Sequence, residues 1–261
     1  MYVNRVKATL AYDGTNYAGY QSQPNARTVQ EMVDKALQKM HKDDQLISYA
    51  SGRTDAGVHA NGQVIHFDTP LTIEPYRWIR ALNVLLPLDI RVVKVEYVDQ
   101  NFHARYSATG KTYRYKWSME DIQNPFERNY YVHLGWLKPN IDKMREAAQY
   151  LMGTHDFTSF CSTRANTTTK VRTVRMLTIE QEGHHLIMTI EGDGFLYNMV
   201  RTIAGMLLSV GIGKHQPEDI RTILEMKNRK KAGKTAAAHG LYLESVTYDP
   251  VENVLKEAPE S

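Results

Sequence analysis

Apolar positions along the first hundred residues change spacing several times, and each change marks an element. Residues 3–11, "VNRVKATLA", alternate apolar and polar, as a half-buried strand does. After a turn-rich loop, Val29, Met32, Val33, Ala36, Leu37 and Met40 fall at helical spacing. Thr28 and Glu31 precede that run as a capping box, hydroxyl and carboxylate each satisfying an orphan amide. "LISYAS" (46–51) and "GQVIHFD" (62–68) then read as strands, a helix from Pro75 to about Leu86 follows, and "IRVVKVEYV" (90–98) is a β-branched strand. The order is β-α-β-β-α-β, the ferredoxin-like arrangement.

The second half repeats that order without repeating residues. "TGKTYRYKW" (109–117) sets Tyr113, Tyr115 and Trp117 on one face against Thr112, Arg114 and Lys116 on the other. Asn140 is placed to cap a helix that Gly153 stops near Met152. Strands at 171–180 and 185–191, an apolar helix over about 195–210, a helix after Pro217 and a strand at 240–248 complete the set. The expected fold is α+β: two βαββαβ units, 1–103 and 104–261, whose antiparallel sheets flank a central basic cleft. Four-stranded sheets of this topology also serve as RNA platforms.

Composition narrows the function classes. A 261-residue chain suits one large domain or two of average size, and 42% hydrophobic residues are enough for a core. No apolar run approaches the roughly 18 residues of a membrane span, and the start lacks a signal-peptide pattern. One cysteine, Cys161, excludes an internal disulfide and a cysteine zinc cluster and suits a reducing cytoplasmic setting. Net charge is only +3, but the tail from Val251 to Ser261 is acidic, so the remainder is more basic. "KNRKKAGK" (227–234) concentrates Lys227, Arg229, Lys230, Lys231 and Lys234. Such a run is either a solvated loop or a phosphate-contacting patch.

The stretch "SGRTDAGVHA" (51–60) builds neither a good helix nor a good strand. Asp55 stands between Gly52 and Gly57, two residues from Arg53. Asp in such a loop is usually a turn former, but a neighbouring cation keeps a carboxylate ionised and the glycines let backbone approach a flat ligand. His59 and His66 read as packed side chains, and the histidines form no metal-binding pattern. "KTYRYKW" interleaves bases and aromatics, as strands that stack nucleobases and touch phosphates do, although an ordinary surface strand also fits. Arg201 lies in an otherwise apolar helix, sharing a face with Tyr197, Ala204 and Leu208. A cation there needs a carboxylate, and Asp55 is a candidate.

"GRTDAGVHA" (52–60), "KTYRY" (111–115), "GFLYNMVR" (194–201), "HGLYL" (239–243), "YDGTNYAGYQSQPNARTVQ" (12–30) and "FHARYSA" (102–108) together resemble the TruA family of tRNA pseudouridine synthases over nearly the whole chain. The first string is highly specific, and the order of the rest strengthens it. Two departures stand out: "GYQ" (19–21) where the family pattern has GWQ, and "GKTAAAHGL" (233–241), which lacks the expected proline.

The resemblance implies an isomerase that turns uridine into pseudouridine in the anticodon arm of tRNA, typically at positions 38 to 40. It implies a homodimer and no metal or organic cofactor. By motif, Asp55 is the nucleophile, Tyr113 covers the uracil and handles a proton, Arg201 pairs with Asp55, and Arg53 holds the nucleotide out of the stack. Asp55 can attack uracil C6 or ribose C1′, or assist proton loss at C2′; the sequence does not choose among these. Rival readings are a non-catalytic RNA-binding protein, which would not need Asp55, and a nucleoside hydrolase or glycosylase, which would release free uracil.

Overall fold

The computed structural model describes residues 3–165 and 167–249; the acidic tail lies outside them. Ten strands and five α-helices are present among these residues. In the first half they are β1 (Asn4–Tyr12), α1 (Val29–His41), β2 (Tyr49–Ala50), β3 (His59–Thr69), α2 (Pro75–Leu85) and β4 (Ile90–Val98). The second half has β5 (Ala108–Ser118), β6 (Val132–His133), α3 (Ile141–Gln149), β7 (Gly153–Asp156), β8 (Val171–Glu182), β9 (His185–Gly192), α4 (Met199–Gly211), α5 (Asp219–Met226) and β10 (Leu241–Tyr248).

Caps explain several boundaries. Thr28 accepts from the Glu31 amide at 3.4 Å and Asn140 from the Lys143 amide at 3.0 Å. Beside the hydroxyl half of the predicted capping box, the Glu31 carboxylate is held by Lys35 at 2.6 Å and drawn on by the Thr28 amide. Gly153 ends the α3 segment at φ +92°, a conformation that favours glycine. β2 is shorter than the expected 46–51, because Ser48 gives both its amide and its hydroxyl to the buried Asp34 of α1.

The expectation of two separate antiparallel sheets is corrected. The strands form one mixed sheet in the order β4-β1-β3-β10-β5-β9-β8-β7, with β2 on β3 and β6 on β5. β1 pairs antiparallel with β3 and β4, and β5 pairs antiparallel with β9 and β10. The seam is a short parallel pairing of β10 with β3, Tyr242 opposite His59 and Leu243 opposite Ala60. β2 occupies the same edge of β3 further along, at His66 and Ile65. Because β2 is only two residues long, it leaves the start of β3 open, and β10 takes that edge. An unpaired strand edge is a row of unsatisfied amides and carbonyls, so merging the sheets satisfies both.

Trp78 in the first half and Trp117 in the second are fully buried within one continuous hydrophobic core. α1 packs against α2, and α3 against α4. Gly205 of α4 admits the chain segment before β10: a Cβ there would stand within van der Waals overlap of the Lys234 carbonyl. That close approach places residues 234–237 beside the N-terminus of α4, where the site is built.

Candidate active site

The loop between β2 and β3 carries Asp55, and its backbone is held on several sides. Lys111 donates to the Ser51 carbonyl at 2.9 Å, Gln63 to the Gly52 carbonyl at 3.0 Å and the Tyr20 amide to the Thr54 carbonyl at 3.1 Å. The Val58 amide closes a turn on the Asp55 carbonyl at 3.1 Å. Gly19, at φ +100°, lets the β1–α1 loop lie against this turn, since a Cβ there would be 2.7 Å from the Thr54 oxygen. The tyrosine of "GYQ", Tyr20, is buried beside it. These bonds fix the main chain of the loop and leave the Asp55 side chain partly exposed in a cleft.

Arg201 reaches Asp55 from the other half of the chain. Its Nη1 donates to Asp55 Oδ2 at 2.9 Å and to Asn198 Oδ1 at 3.1 Å, and its Nε donates to the Ala236 carbonyl at 2.8 Å. The Ala236 amide returns a bond to the Arg201 carbonyl at 3.1 Å. The guanidinium is thus fixed by three acceptors, one of them charged. Side-chain exposure is 18% for Arg201 and 27% for Asp55, so the pair is largely shielded yet open to a ligand.

The expected helix over 195–210 starts at Met199, because Asn198 takes a left-handed conformation at φ 63°. Arg201 therefore sits in the first turn rather than mid-helix. Tyr197 precedes the helix and is 45% exposed, so it does not share an inward face with Ala204. It lines the cleft instead.

Tyr113 lies on β5 between Leu243 of β10 and Ile190 of β9. Its ring is buried and meets Phe195 edge-on, with centroids 5.3 Å apart. Burial first, then Tyr12 and the Asp55 carboxylate, push its phenol well above the usual tyrosine range. A phenol held this way keeps its proton and can donate it in a hydrogen bond. Tyr115 and Trp117 are buried on the same face, as the alternation predicts, and the Tyr115 hydroxyl donates to the Ala237 carbonyl at 2.8 Å.

Asp55, Arg53, Tyr113 and Arg201 line one cleft of about 1560 Å³. Its charged lining is Arg53, Arg105, Lys111, Arg164, Arg172 and Arg201 against Asp55 and Asp193, so the lining is positive. Arg53 is exposed, and the ion pair to Asp55 comes from Arg201, not from Arg53. Lys111, Arg105, Arg164 and Arg172 went unmarked as site residues in the sequence. Lys111 and Arg105 nonetheless belong to the quoted strings "KTYRY" and "FHARYSA", whereas Arg164 and Arg172 carry no local signal.

The 227–234 run is divided by the structure. Lys227 pairs with Asp156 at 3.0 Å, and Arg229 donates to the Gly233 carbonyl and the Thr235 hydroxyl, both at 2.7 Å. Lys230, Lys231 and Lys234 are exposed. None of the five lines the cleft. His59 and His66 are packed, each 2% exposed. His59 stacks on Tyr242 at 4.7 Å, and burial lowers the pKa of both histidines, His66 to about 4.

A family model described as tRNA pseudouridine synthase matches residues 8–107 and 147–249. The chain belongs to the tRNA pseudouridine synthase family. A tRNA pseudouridine synthase A of Bacillus pumilus is 56% identical over 94% of this chain and 99% of its own length. Proteins of the same name from Anoxybacillus flavithermus and Bacillus subtilis are 54% and 52% identical, over 95% and 94% of this chain and 100% and 99% of their own lengths. As a member of this family the protein is an isomerase that converts uridine to pseudouridine, and the non-catalytic reading falls away. The matched segments include both strings that supply the ion pair, "GRTDAGVHA" and "GFLYNMVR".

Proposed function

We propose that this protein isomerises uridines in the anticodon arm of tRNA, typically positions 38 to 40, with Asp55 as the nucleophile. The observation that carries the assignment is the 2.9 Å ion pair between Asp55 and Arg201 at the floor of a positive cleft. Two units, 1–103 and 104–261, flank that cleft in this reading, the first supplying the acid and the second the tyrosine and the arginine.

The chemistry explains the arrangement. The C1′–N1 glycosidic bond breaks, C1′ rejoins at C5, the C5 hydrogen leaves as a proton, and N1 gains one. Mass is unchanged and no electrons are exchanged. A carboxylate beside a fixed cation stays charged and can attack the ring or the sugar. The base must leave the stack, which costs a few kcal/mol and is repaid by a closed, stacked pocket. Tyr113 and Phe195 offer that apolar wall, Tyr113 a donor hydroxyl, and exposed Arg53 a group able to take the vacated space. A hydrolase would need water at C1′, and the buried aromatic wall beside Asp55 favours isomerisation instead.

Lys230, Lys231 and Lys234 meet phosphates of the tRNA body outside the cleft, while Lys227 and Arg229 hold the loop. The family resemblance supports a homodimer acting in the cytoplasm. Among the described residues no helix is long and apolar enough to cross a membrane. The test is nucleotide-resolution mapping of pseudouridine in total tRNA, with and without this protein. Loss of pseudouridine at positions 38 to 40 on its removal is expected; an unchanged map refutes the assignment.

A further inference from the structure

Among the cleft cations for which the reaction above has no task, Lys111 lies against the Asp55 loop. Lys111 stands two positions before Tyr113 on β5, so alternation sends both side chains to the same face. Its ammonium donates to the Ser51 carbonyl at 2.9 Å. Gly52 lies so close that a Cβ there would stand 2.6 Å from Nζ. The amine is therefore lodged against the first residues of the loop that carries Asp55.

This ammonium lacks a counter-charge. Among the described residues Lys111 enters no ion pair, and the charged group acting on it most is Arg105, of like sign. Burial, then Arg105, lower its pKa to about 8. The two carboxylates of the cleft are engaged elsewhere: Asp55 by Arg201, and Asp193 by the Thr173 amide at 3.0 Å. An ammonium has three donors, and the Ser51 carbonyl takes one. Removing a charge from water without a partner is costly, so an opposite charge is expected to arrive from outside the protein.

We propose that Lys111 binds a backbone phosphate of the substrate RNA beside the flipped uridine, with the Ser51 carbonyl aiming the ammonium into the cleft. The inference rests on the reading of this cleft as the tRNA site. A phosphate held here is registered against the Asp55 loop on one side and the Tyr113 strand on the other. Lys111 would then link RNA position to the placement of both reacting groups.

The test measures equilibrium tRNA binding by the full chain over a series of KCl concentrations, for wild type, Lys111→Gln and Lys111→Arg. Lys111→Gln is expected to weaken binding roughly tenfold and flatten the log–log salt slope by about 0.7–0.9. Lys111→Arg should keep the slope. An unchanged slope in a folded Lys111→Gln protein overturns the proposal and leaves Lys111 a clamp on Ser51. Should that variant not fold, amine-reactive labelling of the wild type reads the same contact. Protection of Lys111 by tRNA supports the proposal, and equal labelling with and without tRNA overturns it. A wild type that neither binds tRNA nor forms pseudouridine refutes the parent reading as well. A wild type that does both, beside an unaltered Lys111→Gln slope, refutes this inference alone.

Discussion

Asp55 and Arg201 are 146 positions apart in the chain and 2.9 Å apart in space. Neither is placed by its own element alone. Asp55 is aimed by a loop pinned through four of its backbone carbonyls, and Arg201 by a helix start that Asn198 and Ala236 fix from opposite sides. The merged sheet brings the two together, because the β3–β10 seam sets the loop before β3 beside the segment before β10.

Tyr113 separates stacking from proton transfer. Phenylalanine keeps the contact with Phe195 and removes the hydroxyl. Tyr113→Phe is expected to bind tRNA as wild type does and to turn over about 10²–10⁴-fold more slowly, the usual weight of an acid–base group. Single-turnover rates beside binding curves check this. Near-normal turnover would reduce Tyr113 to a lid.

Gly205→Ala probes the seat of Arg201. A Cβ there meets the Lys234 carbonyl, so the 234–237 segment must shift and draw the Ala236 acceptor from the guanidinium. The expected cost is about 1–3 kcal/mol in stability, as for other overpacked sites, together with a loss of turnover larger than the loss of tRNA affinity. A melting curve and a kcat measurement decide it; an unchanged melting temperature would show that the segment yields freely.

Acid should loosen the first half through His66. The pKa of His66 falls to about 4 on folding, chiefly through burial and then through His103 and Arg5. Between about 6.5 and 4 the unfolded chain therefore binds a proton that the folded chain does not. Stability drops as pH falls through that window. His66→Gln should lessen the drop, read as the slope of melting temperature against pH; an identical slope would contradict it.

The exposed lysines outside the cleft give a further check. Neutralising Lys230 and Lys231 together should weaken tRNA binding and flatten its salt dependence by about one unit for each lost contact. Lys227→Gln should leave the slope unchanged, because its charge is already spent on Asp156. An unchanged slope in the double variant would return the loop to the solvent.

The sequence shows the elements clearly and their assembly less so. Thr28, Asn140 and the alternation of Tyr113, Tyr115 and Trp117 fix elements through contacts a few residues apart, which spacing reveals. The merging of two sheets depends on the chain leaving β3 after Ser51, at the start of the Asp55 loop, so that β2 never reaches the edge of β3 at His59 and Ala60. Nothing local announces that. The Asp55–Arg201 pair was legible because an arginine beside an apolar helix demands a carboxylate. The cations Arg164 and Arg172 were not, since a surface arginine reads the same whether it faces solvent or a cleft.

Asp55→Asn tests the central claim most directly. Asparagine keeps the size and an oxygen that can accept from Arg201, and it removes the carboxylate proposed as the nucleophile. The measurement is hydrogen release from C5-labelled uridine in tRNA, with a binding assay and a melting curve on the same preparation. The account predicts a folded protein that binds tRNA with little loss and releases no label. Release near the wild-type rate would contradict it, and Asp55 would then be a turn former after all.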